Sequence, residues 1–122
     1  MISQAKKSIY LIGIDSSDIL NCTLQALKKI NEAESLILSK KFNNDCIKIL
    51  RQNNQKIYYE EELSRNNDSI LWNKVIKLLD SNEVIAHLID GDPLLEKKGV
   101  NELKFFKEKK INCEVFPSVI GF

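Results

Sequence analysis

The sequence predicts an α/β fold: a five-stranded, mostly parallel, doubly wound sheet in a single domain. Three observations carry this expectation. Short apolar runs alternate with stretches of helical period along the whole chain. The first run, SIYLIGI (8–14), is unbroken and rich in β-branched residues, the mark of a strand covered on both faces. The 122 residues, 43% of them hydrophobic, suit one domain with a real core.

The elements follow in order. After SIYLIGI, the segment DSSDILN supplies helix-start chemistry, with Asp18 or Asn21 as candidate caps. Leu20, Leu24, Leu27 and Asn31 then fall on one helical stripe, with Ile30 beside them. SLILS (35–39) is the second strand. NNDCIKILRQNN (43–54) is a short helix with Ile47 and Leu50 facing inward, and KIYYE (56–60) is the third strand. Asn67 or Asp68 caps the next helix, where Trp72, Val75, Ile76 and Leu79 share one face. EVIAHLI (83–89) is the fourth strand, a helix runs from Gly99 to Lys109 on Val100, Leu103 and Phe106, and CEVF (113–116) closes the sheet. Right-handed crossovers between parallel strands are expected.

Composition excludes several functions. Charged residues are 29% of the chain but nearly cancel, leaving +1. Arg51 and Arg65 are the only arginines. Neither nucleic acid nor an anionic membrane is an expected partner. MISQAKKS has no apolar stretch behind its lysines, so no secretory signal is read. IYLIGI, the longest apolar stretch, is too short to span a bilayer. Cys22, Cys46 and Cys113 are far apart and lack metal or redox spacing. They read as reduced, mostly buried thiols of a cytoplasmic protein.

In doubly wound sheets, ligands sit outside the carboxyl ends of the strands. Those ends here are GIDSSD, SKKF, DGDP and PSVIGF, so Asp15, Asp18, Asp90 and Asp92 are expected on one rim. A magnesium or phosphoryl site would use such carboxylates. No basic residue on the last loop completes one, and no second acid adjoins in the manner of a phosphoacceptor, so no metal is predicted. Asp18 as a cap and Asp92 as a turn former explain two of the four. The GxGxxG fingerprint, the P-loop and the nucleophile elbow are absent. His87, inside an apolar strand, reads as a satisfied core or rim histidine, and Trp72 as core.

Taken together, IYLIGIDSSDILNCTLQALKKINEAESLIL, DGDP (90–93), KKG (97–99) and INCEVFPSVIGF (111–122) resemble the tetrapyrrole (corrin/porphyrin) methylase family. Thr23, Leu24, Ala26, Leu27 and Ala33 stand at that family's Thr-Leu-x-Ala-Leu helix and the alanine after it. DGDP is similar to its Gly-Gly-Asp-Pro turn, and KKG stands at its Gly-Arg-Gly. The order agrees over essentially the whole chain, which is read as the family's N-terminal domain.

The resemblance implies an S-adenosyl-L-methionine-dependent C-methyltransferase acting on uroporphyrinogen III or a precorrin. By carry-over, Ser16, Asp90, Gly91, Asp92, Leu95, Ile120 and Gly121 line the cofactor. Glycine lets the backbone approach a ligand closely. Several positions depart from the pattern. The first loop reads Asp15-Ser16-Ser17 where the family has Gly-Pro-Gly, and Asp90 replaces the first glycine of the turn. Ser39 stands at the strand-two aspartate proposed as catalytic base, and Glu61 at a lysine. His87 and Lys98 stand at arginines. No catalytic residue is assigned on these grounds.

The family has two α/β domains, whereas this sequence matches one and ends on the apolar VIGF. Three readings follow: a tetrapyrrole methyltransferase, a non-catalytic dimerising or ligand-binding module derived from it, or a fragment of a longer enzyme. A homodimer with VIGF buried, or a separate second domain, is the expected partner.

Overall fold

The computed structural model describes residues 7–19, 21–53, 55–64, 67–81, 84–95 and 97–117. Five strands form one sheet: β1 (Ser8–Ile14), β2 (Ser35–Leu38), β3 (Lys56–Tyr59), β4 (Val84–Asp90) and β5 (Asn112–Phe116). Their order is β3-β2-β4-β1-β5, and every pairing is parallel. β1 and β4 form the centre, paired from Ser8 against Val84 to Ile14 against Asp90.

The helices are α1 (Leu24–Glu32), α2 (Asn44–Arg51), α3 (Glu60–Leu63), α4 (Asp68–Leu78) and α5 (Lys97–Glu108). They divide between the two faces, as strand alternation requires. Tyr10, Ile12 and Ile14 point to a core shared with Ala26 and Ile30 of α1 and with Cys46 and Leu50 of α2. Ile9, Leu11, Ile37 and Ile85 point to the other, shared with Leu71, Trp72 and Val75 of α4 and Phe106 of α5. All seven residues of β1 are buried, which explains its unbroken apolar sequence.

Two local expectations are corrected. α1 is capped by Thr23, whose side chain accepts the Ala26 N–H at 2.9 Å, and not by Asp18 or Asn21. Those residues instead form turns, with the Asp18 N–H on the Asp15 carbonyl and the Asn21 N–H on the Asp18 carbonyl. The later start rotates the inward face: Ala26 and Ile30 are buried while Leu24 is 85% exposed. Leu20 lies outside the described residues. Glu60 does not end β3 but opens α3, a helix of four residues. Elsewhere the expected cap holds: the Asn67 side chain accepts the Ile70 N–H at the start of α4.

The connection from β1 crosses β4 to reach β2, and the connection from β4 crosses β1 to reach β5. The chain thus leaves the two central strands in opposite directions, and a crevice opens at their carboxyl ends.

Candidate functional site

The DGDP turn stands at that crevice. Gly91 has φ 99°, a conformation that residues with a β-carbon rarely adopt. Its N–H donates to the Ile14 carbonyl at 2.9 Å, so the turn closes onto the end of β1. Asp90 Oδ1 accepts the Ser16 N–H at 3.0 Å, and the Ser16 carbonyl accepts the Asn43 N–H at 3.0 Å. The carboxylate at Asp90 therefore straps the first loop to the fourth. Asp92 forms the turn expected of it: Oδ1 accepts the Leu94 N–H at 2.9 Å, and its carbonyl accepts the Leu95 N–H at 3.0 Å. Leu94 and Leu95 stand out from this turn, 51% and 76% exposed. Gly99 serves packing. A β-carbon there would overlap the Pro93 carbonyl oxygen and stand 2.8 Å from its carbon, so glycine lets α5 start directly beneath the turn.

Asp15 Oδ1 accepts both the backbone N–H and the hydroxyl of Ser17, and these bonds hold its carboxyl below the usual range. Among the described residues no three His, Cys, Asp or Glu converge to hold a metal ion. The thiols are free and protonated: burial pushes Cys46 up to about 11 and Cys113 up to about 12.

Ser39 and Glu61 meet. The Ser39 hydroxyl donates to Glu61 Oε2 at 2.6 Å, and Glu61 Oε1 accepts the Lys40 N–H at 2.8 Å. Partial burial raises the Glu61 pKa, but the Ser39 and Lys40 bonds outweigh it and leave the carboxyl lowered. This pair shapes the turn after β2 and holds no group poised to take a proton.

Beside it, a cleft of about 190 Å³ opens on the α4/α5 face. Phe42, Leu71, Trp72 and Ile89 give it apolar walls, while Glu60, Asp68, His87, Asp90, Lys98 and Glu102 contribute charge. Its floor is a chain of three side chains. His87 Nδ1 is 2.7 Å from Glu102 Oε2, and Nε2 is 2.8 Å from Glu60 Oε2. Burial pushes the ring toward its neutral form. The Glu102 carboxylate, then Glu60, outweigh it and raise the pKa to about 10.

The structure thus brings Ser16, Asp90 and Gly91 together, with Asp92 and Leu95 one turn further along. Ile120 and Gly121 lie outside the described residues. His87 is the satisfied histidine expected, but its partners were not foreseen. A signal existed: Gly99, Glu102 and Phe106 share the buried face of α5, which places a glutamate where a hydrophobic residue belongs.

A family model described as Tetrapyrrole (Corrin/Porphyrin) Methylases matches residues 8–120. An S-adenosyl-L-methionine-dependent uroporphyrinogen III methyltransferase from Arabidopsis thaliana is 24% identical, covering 91% of this chain and 31% of the relative. A uroporphyrinogen-III C-methyltransferase from Priestia megaterium is 22% identical, covering 91% and 48%. The uroporphyrin-III C-methyltransferase structure from Thermus thermophilus superposes with a TM-score of 0.77 at 22% identity, covering 93% of this chain and 48% of that one. Another structure of that enzyme, complexed with S-adenosyl homocysteine, gives 0.73 at 20% identity, covering 92% and 45%. The likeness to these structures establishes the fold. The chain spans from about a third to about half the length of these relatives.

Proposed function

Since the chain belongs to the tetrapyrrole (corrin/porphyrin) methylase family, we propose that it forms the N-terminal, cofactor-binding half of an S-adenosyl-L-methionine-dependent C-methyltransferase acting on a tetrapyrrole of the uroporphyrinogen III class. One observation carries this reading: the glycine turn after β4 lies at the topological switch point, tied by hydrogen bonds to the loop after β1.

The residues present fit the cofactor. Gly91 offers backbone without a side chain, and the exposed Leu94 and Leu95 offer an apolar surface to a flat nucleoside. Asp90 Oδ1 accepts the Ser16 N–H, so this side chain braces the turn against the first loop. In this reading Ser16, Asp90, Gly91, Asp92 and Leu95 hold the cofactor, with Ile120 and Gly121 completing the set. When bound, the cofactor supplies an electrophilic methyl group on sulfur. The protein's part is orientation: a turn already set by its own hydrogen bonds loses little freedom on binding.

A second α/β unit, from the same protein or from a second copy of this chain, closes the cleft over Leu94 and Leu95. Good small-molecule sites bury most of their ligand, and one rim alone does not. Among the described residues no helix is long and apolar enough to cross a membrane. The three free thiols support a reducing compartment such as the cytoplasm.

One observation favours a second reading, a non-catalytic ligand-binding module. Ser39 and Glu61 occupy two positions where the family carries an aspartate and a lysine, and here they bond to each other. Calorimetric titration with S-adenosylhomocysteine tests the cofactor site. Micromolar affinity, roughly −8 kcal/mol, is expected; no binding at millimolar ligand overturns both the cofactor assignment and the enzyme reading. Binding without methyl transfer to uroporphyrinogen III favours the module.

A further inference from the structure

We infer that Glu60, His87 and Glu102 form a hydrogen-bonded triad opening on the cleft, with Glu60 as the group that takes a proton from the substrate. The inference rests on the methyltransferase reading above. Carboxylates only accept hydrogen bonds, and both ring nitrogens of His87 face one, at 2.7 and 2.8 Å. Both nitrogens therefore carry a proton, and the ring is an imidazolium. Two carboxylates thus flank one cation.

Access decides where the proton enters. The side chains of Glu102 and His87 are 3% and 5% exposed, whereas Glu60 is 28% exposed and faces the cleft. Asp68 of α4, Lys98 of α5 and Asp90 at the end of β4 are the other charged groups lining this cleft. Glu61 and Lys41 line the adjoining cavity. Asp90 is engaged by Ser16, and Glu61 by Ser39 and Lys40. Glu60 is the cleft carboxylate wired to a buried cation. Phe42, Leu71, Trp72 and Ile89 give the cleft an apolar wall beside it.

The step balances simply. The pyrrole carbons of a uroporphyrinogen are fully substituted, so the carbon that accepts the methyl group carries no hydrogen and the ring is left with a positive charge shared with its N–H. The N–H bonding pair stays in the ring and cancels that charge. The proton passes to the carboxylate of Glu60, which releases it at the mouth of the cleft. Glu60 is the catalytic residue; His87 and Glu102 are positioning residues that fix its orientation and hold the balancing charge.

His87 is the only histidine, so its imidazole nitrogens give one set of NMR signals. Both nitrogens are expected to be protonated at pH 8, and Glu60→Gln is expected to lower the ring's titration by a pH unit or more. A neutral single tautomer at pH 8 in the wild type overturns the charged triad. In the full-length protein, Glu60→Gln is expected to lower kcat for methyl transfer by about 100-fold with KM and S-adenosylhomocysteine affinity unchanged, and Glu60→Asp to recover part of the rate. An unchanged kcat, or affinity lost in parallel with rate, overturns the catalytic role. An active wild type whose rate Glu60→Gln leaves unchanged overturns that role alone, whereas wild-type protein that binds S-adenosylhomocysteine without transferring methyl favours the non-catalytic module and overturns the role with the methyltransferase reading. Wild-type protein that does not bind it overturns the methyltransferase reading, and the role of Glu60 with it.

Discussion

Glu102→Gln isolates the energetics of the buried charge cluster. Three-dimensional burial alone would neutralise His87, yet the flanking carboxylates raise its pKa from 6.5 to about 10. A pKa raised on folding contributes stability that is fully present below the unfolded value and fades as pH climbs through the folded one. For His87 the full contribution is therefore present below pH 6.5 and is lost toward pH 10. At about 1.4 kcal/mol per pH unit, that interval corresponds to roughly 5 kcal/mol. Removing one member of a buried pair costs about 3–5 kcal/mol. The amide of glutamine still offers a hydrogen-bond partner, so the low end, about 3 kcal/mol, is expected. With an unfolding entropy of about 2.1 cal/mol/K per residue, this lowers Tm by roughly 12 °C. Scanning calorimetry of wild type and variant between pH 5 and pH 10 reads it directly. The difference should be largest at and below neutral pH and shrink toward pH 10. Taking the difference at each pH cancels the lysines and tyrosines common to both. A Tm loss under about 3 °C at pH 7, or a difference independent of pH, would refute the charged-cluster argument.

Three further outcomes follow from the loops and caps. Gly91→Ala forces a β-carbon into a backbone at φ 99°, and urea denaturation should show a loss of about 1–2 kcal/mol. S-adenosylhomocysteine affinity should fall with it, since the turn must shift; retained stability would mean that the turn relaxes freely. Gly99→Ala gains helix propensity worth about 1 kcal/mol, yet its β-carbon would stand 2.8 Å from the Pro93 carbonyl carbon. The net result should be destabilising, and a more stable variant in the same assay would show that α5 can slide away from the turn. Thr23→Ala removes the acceptor for the Ala26 N–H and should cost about 1 kcal/mol, whereas Asp18→Ala should cost α1 nothing through capping. The reverse ranking would restore Asp18 as the cap.

Much of the fold was legible because it is written locally. Apolar runs, helical stripes and cap residues act over a few neighbours, so the alternation, the strands and the cap at Asn67 could be read in order. The misreadings were also local competitions. Asp18, Asn21 and Thr23 are all good caps, and in the fold Asp18 and Asn21 are taken up by turns while Thr23 caps α1. Glu60 continues an apolar strand in sequence, but β3 is an edge strand with β2 on one side only, and the chain turns into α3 there.

The site divides along the same line. By itself the sequence determined that a glycine turn follows the fourth strand and that loops of a doubly wound sheet meet there. These are consequences of strand period and topology, which depend on residue type and order. Only the tertiary structure decided what the charges do. Asp90, a departure from the family's glycine, is a strap for Ser16 across 74 residues of chain. Ser39 and Glu61 bond across 22 residues. His87 joins Glu102 and Glu60 across 15 and 27. A carboxylate's role depends on which donor stands within 3 Å of it, and sheet register and helix packing set that distance where sequence spacing does not.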